Sequence, residues 1–217
     1  MIQHSNIDYH CHILPGIDDG AQNMEESVYL SRTLVRWGFK MAYCTPHVAA
    51  RYHNTKSSIN TAFEALKKEL ERQRIPLEIQ ISAECRLNPE TWIPIKQNDL
   101  YIPFNVNHML IEFPISKPDT MGNIKPINEI NQLVDKGFIP VIAHPERYKW
   151  LDFDTINLFR KHGALLQCNY GSLCGRYDDD VLDRVKYLIS NDMVSLWGTD
   201  LHNQSYIDCI DKIMGKA

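Results

Sequence analysis

Short apolar runs rich in β-branched and aromatic residues alternate along this chain with longer stretches whose apolar positions recur at helical spacing. That rhythm predicts βα units around a parallel sheet. Strands are predicted over residues 6–10, 41–45, 77–84, 108–113, 139–144, 164–169 and 194–199. Between the first two, Asn23 can cap a helix with Glu26 three residues later, apolar positions recur at Val28, Leu30, Leu34 and Val35, and Gly38 closes it. Further helices are predicted over 57–73, 124–136, 153–162 and 178–190, with Gly137 and Gly163 as stops. The stretch 88–107, with Pro89, Pro94 and Pro103, predicts only a short helix and a loop. No repeat, linker or low-complexity tract interrupts the pattern, so residues 1–217 are expected to form one domain, a length that barrel folds reach as a single unit.

Composition narrows the setting. A formal charge of -4 and a pI near 6.1 give no general reason to bind nucleic acid or an anionic membrane, so an anionic substrate would need a local positive centre. The first residues lack a secretory pattern and no run approaches the length of a membrane span, which predicts a cytoplasmic protein without membrane insertion. Cys11, Cys44, Cys85 and Cys168 fall in or beside strand-like runs, and the six cysteines are expected to be reduced, mostly buried thiols. Neither a Cys-x2-Cys metal pair nor a Cys-x5-Arg phosphatase loop is present.

The chemistry lies in what ends each predicted strand, because parallel α/β barrels carry their sites at the carboxyl ends of their strands. The first strand ends in His10 and His12, the second in His47, the third in Glu84, the fourth in Glu112, the fifth in His144, and the last in Asp200 and His202; Asp19 follows in the first loop. Residues two apart in a strand share a face, so His10/His12 and Asp200/His202 can each send two ligands into one cavity, while Cys11 points away as packing. One histidine at a strand end is ordinarily a packed or surface residue. Five of the nine histidines in such positions, with carboxylates at most remaining ends, are not explained that way. Imidazole with carboxylate suits manganese, iron, zinc or cobalt, and more than four ligands imply two or three ions. Four ionised carboxylates against three divalent cations leave about +2, which suits a dianionic phosphate attacked by metal-activated water. Arg147 can offer its planar fork to phosphate oxygens or form a surface ion pair with Glu146; Arg51 and Arg86 are candidate substrate contacts or rim residues. His4, His53, His108 and His162 lack this context, and the charged segment 67–74 is a solvated helix face.

The strings DYHCHILPGIDDGA, YCTPH, AEC, IEFP, IPVIAHPERY and WGTDLHN, in this order across residues 8–203, resemble the polymerase and histidinol phosphatase (PHP) superfamily. More closely, they resemble the bacterial manganese-dependent protein tyrosine phosphatases encoded with capsule and exopolysaccharide genes. The resemblance implies an α/β fold, a distorted (β/α)7 TIM-like barrel of the PHP type, with a trinuclear centre. It also implies hydrolysis of phosphotyrosine on a cognate tyrosine autokinase of polysaccharide export, and makes manganese the first expectation. Carried over by position, the metal ligands are His10, His12, Asp19, His47, Glu84, Glu112, His144, Asp200 and His202, with Asp18 competing with Asp19; Arg147 matches a phosphate-binding, catalytic arginine. Relatives place a second arginine shortly after the closing Asp-x-His, whereas here the run is HNQSYIDC, so Arg51 or Arg86 substitutes or substrate handling differs. The short remainder after that motif predicts that a final helix of longer relatives is absent. The alternative is a small-molecule phosphoesterase such as a histidinol-phosphatase-like enzyme, for which long enclosing loops would be expected; the connections are short apart from 48–56 and 114–123.

Overall fold

A computed structural model describes residues 5–97, 101–116 and 125–214; His4 and most of the connection 114–123 lie outside the described residues. The seven predicted strands are all present, one of them is broken, and one short strand is not predicted. The first strand is β1 (Ile7–Cys11); the second is β2 (Met41–Cys44), followed beyond its predicted end by a further short strand β3 (His47–Val48), and the third divides into β4 (Glu78–Ile81) and β5 (Glu84–Arg86). Then come β6 (His108–Glu112), β7 (Ile139–Ala143), β8 (Leu165–Asn169) and β9 (Leu196–Gly198). Among the described residues all pairings between these strands are parallel, in one sheet ordered β1-β2-β4 and another ordered β3-β5-β6-β7-β8-β9. Pro46 lacks an N–H to continue the ladder, and the chain steps from one sheet to the other there, kept in register by Glu84 N donating to Pro46 O at 3.0 Å.

The helices follow the predicted order. They are α1 (Met24–Arg36), α2 (Lys56–Arg72), α3 (Pro89–Gln97), α4 (Pro126–Asp135), α5 (Phe153–Lys161), α6 (Tyr170–Leu173), α7 (Asp179–Ser190) and α8 (Gln204–Met214). Asn23 caps α1 by accepting from Glu26 N, and Asp152 and Asp178 cap α5 and α7 in the same way. The segment after His202, for which no helix is predicted, is not bare: it forms α8, burying Ile207, Cys209 and Ile210. Among the described residues no helix is long and apolar enough to cross a membrane. One cysteine expectation is overturned. Cys174 and Cys209 are joined as a disulfide, tying the turn after α6 to α8, while the other four remain free and buried. Packing of α8 beside α6 brings these two together, a contact that their 35-residue separation conceals.

Strands buried on both faces supply two cores. Met109, Ile111, Ile142 and Leu166 face the helices in the large outer cluster; Tyr43, Phe104, Leu110, Val141 and Ala143 fill the inside. First and last strands meet at a seam. Asp200 N donates to His10 O at 2.7 Å and His12 N to Leu201 O at 3.0 Å. Below them the fully buried Asp8 accepts from Thr199 N at 2.8 Å, from the Thr199 hydroxyl at 2.6 Å and from His10 N at 3.2 Å. Asp8→Ala leaves the buried amides of Thr199 and His10 without this acceptor and the Thr199 hydroxyl with only a long contact to His10 O, so it should lower unfolding free energy by about 3 kcal/mol in a denaturant titration. A loss below about 1 kcal/mol would show that the seam does not depend on this carboxylate.

Candidate metal centre

Strand alternation alone does not deliver the site. Tyr9 faces the barrel interior, stacked on Tyr43 with ring centroids 5.7 Å apart, yet the adjacent His10 also turns inward. The β1–β2 register shifts between Asp8 and Cys11, and such a bulge re-aims the side chains beyond it. A second irregularity acts on β7. His144 takes the left-handed conformation at φ 33°, which non-glycine residues rarely adopt, and Asp200 does the same at φ 52°. Gly198 must be glycine, because a Cβ there would lie 2.5 Å from His10 Cβ; a Cβ on Gly20 would lie 2.0 Å from His12 O.

These devices bring all nine predicted residues together at one end of the barrel, where seven of them, all but the more deeply set His10 and His12, line a cavity of about 380 Å³. Glu84, fully buried, is the hub. Its Oε2 stands 3.4 Å from His10 Nε2, 3.4 Å from His12 Nε2 and 2.9 Å from His47 Nδ1, and its Oε1 lies 3.1 Å from His144 Nε2. Asp200 Oδ1 faces the same two N-terminal histidines at 3.5 and 3.6 Å. Asp19 Oδ1 stands 3.4 Å from His47 Nε2 and 3.6 Å from His202 Nε2. Four overlapping sets of ligand atoms result: His12, Asp19, His47 and His202; His10, Glu84 and His144; His10, His12 and Asp200; and His47, Glu84 and Glu112.

The donor set fits divalent cations. His10 Nε2 and His12 Nε2 point at each other across 3.1 Å, and His47 Nδ1 and Glu84 Oε2, though close, are both buried without a hydrogen bond. Buried nitrogen and oxygen lone pairs that face one another are what metal ions satisfy. Three histidines have their outward ring nitrogen anchored as metal-binding histidines require: His10 Nδ1 donates to Gln167 Oε1 at 2.7 Å, His12 Nδ1 to Asp18 Oδ2 at 2.8 Å, and His202 Nδ1 to Asp200 O at 2.8 Å, while His144 Nδ1 is buried without a partner. Asp18 also accepts from Gly20 N and His47 N. Its oxygens are thus engaged within the protein, whereas Asp19 faces the cluster.

Electrostatics run in the same direction. Burial opposes charge on His10, but the carboxylates of Glu84 and Asp200 outweigh it and push His10 up to about 10. Burial likewise works against Glu84 and Asp200, which the surrounding imidazoles nevertheless hold well below the usual carboxylate range. Glu112 goes the other way, raised to about 7 by burial and by the charge of Glu84. Burial and the Arg147 guanidinium lower His144 to about 4. Without metal, a proton on His10 therefore stands where a cation belongs.

The predicted arginines all line the cavity, each already paired with a carboxylate of the cluster. Arg147 reaches Asp200 Oδ2 at 3.0 Å, Arg86 reaches Glu112 at 3.0 Å, and Arg51 reaches Asp19 at 2.9 Å. The surface pair between Arg147 and Glu146 does not form. Glu146 is fully buried and accepts from Asn169 N and the Ser172 hydroxyl instead. Strand β8, whose end showed no ligand, supplies the supports that sequence reasoning missed: Gln167 holds His10, and Asn169 Nδ2 donates to Asp200 Oδ2 at 2.8 Å. Two carboxamides on one face at a strand's carboxyl end were the available signal.

Residues 6–208 match the protein family described as capsular polysaccharide synthesis, CpsB/CapC. The chain is 31% identical over 200 residues to the tyrosine-protein phosphatase YwqE of Bacillus subtilis, covering 91% of this chain and 77% of that one. It is 25% identical over 206 residues to the tyrosine-protein phosphatase CpsB of Streptococcus agalactiae, covering 91% and 83%. Among solved structures, it superimposes with a TM-score of 0.81 and 29% identity on a chain from the crystal structures of YwqE from Bacillus subtilis and CpsB from Streptococcus pneumoniae. Those are metal-dependent tyrosine phosphatases, and the match covers 97% of this chain and 88% of that one.

Because His10 and part of Glu112 are protonated near neutrality, loading metal-stripped protein should release protons, and affinity should rise between about pH 6 and pH 8. Calorimetry of Mn2+ binding in two buffers of different ionisation enthalpy checks this; identical apparent enthalpies would refute it. Gly198→Ala, which drives a methyl into His10, should lower metal content measured by atomic absorption while the fold persists.

Proposed function

The chain belongs to the CpsB/CapC family of capsular polysaccharide synthesis, and from that premise we infer that it is a metal-dependent tyrosine-protein phosphatase hydrolysing phosphate monoesters. The observation that carries this reading is the hub at Glu84: one buried carboxylate facing four imidazoles, inside a cavity rimmed by arginines. The proposed ligands are His10, His12, Asp19, His47, Glu84, Glu112, His144, Asp200 and His202, holding two or three divalent ions, manganese first. When bound, such ions polarise phosphoryl oxygens and lower the pKa of a coordinated water.

The residues themselves do the rest. Arg147 packs over the Tyr177 ring at 4.6 Å, and the nearby tyrosines and Asp200 hold it cationic against its burial, so its fork is a fixed positive group for phosphoryl oxygens. Gln167, Asp18 and Asn169 keep the ring and carboxylate orientations that the centre needs. A thiol mechanism has no support: Cys11, Cys85 and Cys168 are fully buried, and burial pushes Cys85 up to about 12 and the other two well above the ordinary thiol value. The proposed physiological substrate is a phosphotyrosine protein, a tyrosine autokinase of polysaccharide export. It is phosphorylated where ATP is available, so the proposed setting is the cytoplasm.

Turnover of a phosphotyrosine peptide should vanish on chelation and return with Mn2+. His10→Ala and Asp200→Ala should each lower kcat by at least about 100-fold. Histidinol phosphate and a neutral ester serve as comparison substrates. Turnover that survives chelation, or a preference for histidinol phosphate, would sink the reading.

A further inference from the structure

The run after His202 carries no arginine, yet the cavity holds a fourth one from elsewhere. Arg176 lies in the turn after α6 and lines the same pocket as Arg51, Arg86 and Arg147. Those three each form an ion pair with a carboxylate of the metal cluster. Among the described residues Arg176 has no carboxylate partner.

Its position is nevertheless built. Arg176 Nη1 donates to Ser205 O at 2.7 Å and Nη2 to the Ser205 hydroxyl at 3.2 Å, both on α8. The guanidinium lies 3.4 Å over the Tyr206 ring, and Tyr206 stacks in turn on His202 with centroids 5.3 Å apart. Arg176 is thus one aromatic layer outside a residue of the metal cluster. Its Nε is buried and has no hydrogen-bond partner. Gly171 gives it room, since a Cβ there would meet Arg176 Cδ at 3.3 Å. The Cys174–Cys209 bond fastens the turn bearing Arg176 to the helix bearing Tyr206.

A planar cation with spare N–H donors, oriented by an aromatic face and uncompensated by any carboxylate, is matched to an oxyanion. We propose that Arg176 binds the phosphoryl group of the substrate, filling from the β8–α7 segment the role for which the segment after His202 has no arginine. The proposal rests on the phosphatase reading, and it adds a substrate-binding residue that no motif in the sequence marks.

The test uses the intact Mn2+-loaded protein, measuring kcat and KM for a phosphotyrosine peptide and the inhibition constant of inorganic phosphate. Arg176→Ala should raise both KM and the phosphate inhibition constant by about 10- to 100-fold while metal content stays at the wild-type value and Tm falls only as far as the lost Ser205 and Tyr206 contacts require. Arg176→Lys should recover part of the loss, and Gly171→Ala, which crowds the Arg176 stem at Cδ, should move both constants in the same direction by a smaller factor. A phosphate inhibition constant within twofold of wild type in Arg176→Ala overturns the proposal. So does an effect confined to peptides with acidic flanking residues, which would make Arg176 a contact for the peptide and not for phosphate. If wild type hydrolyses no phosphate ester, the phosphatase reading falls. Calorimetric titration of inorganic phosphate into the Mn2+-loaded wild type and Arg176→Ala then still decides Arg176, with equal affinities counting against it.

Discussion

The site depends on one seam, where the first and last strands of the barrel meet. Asp200 N binding His10 O, and His12 N binding Leu201 O, put the His10–His12 pair against the Asp200–His202 pair. Every candidate ligand set of the cluster draws on more than one segment of the chain. Asp8 holds the seam from below through Thr199, and Gly198 lets the backbones come close enough for the His10 ring to enter the mouth. The ring of strands that follows adds Glu84 at the centre and Glu112 and His144 at the sides.

What gathers there could not be buried for stability alone. Carboxylates and imidazoles removed from water lose hydration that their mutual contacts return only in part. In the metal-free protein a proton on His10 offsets the charge of Glu84 and Asp200, and cations are the natural replacement. The backbone irregularities serve the same function: left-handed His144 and Asp200 are conformations that cost about 1–3 kcal/mol each and persist where surrounding structure holds them, and the bulge in β1 re-aims the side chains beyond it. The arginines on the rim complete the charge pattern. Three neutralise carboxylates of the cluster, and Arg176 stands apart on an aromatic stack.

The chain's own order of residues determined the alternation of strands and helices, because apolar runs and helical periods are local properties, and it determined the residues that end the strands. Asn23 and Gly38 marked the ends of α1 because capping is a contact between near neighbours. What the sequence left out is non-local in every instance. The pairing of Cys174 with Cys209, the burial of Glu146 beneath β8, and the support of His10 by Gln167 are set by which elements pack together. The bulge that turns Tyr9 and His10 to the same side overrides alternation and has no signature in composition. Spacing alone leaves Asp18 competing with Asp19 and only the family resemblance favours Asp19; the fold divides their tasks by turning one toward His12 Nδ1 and the other toward His47 and His202. Sequence therefore determined the kinds of chemical group and the strand ends that carry them, since both follow from residue identity and local period. Tertiary structure decided which groups face the centre, which brace it and which arginine remains uncommitted, since those follow from distances between segments remote along the chain.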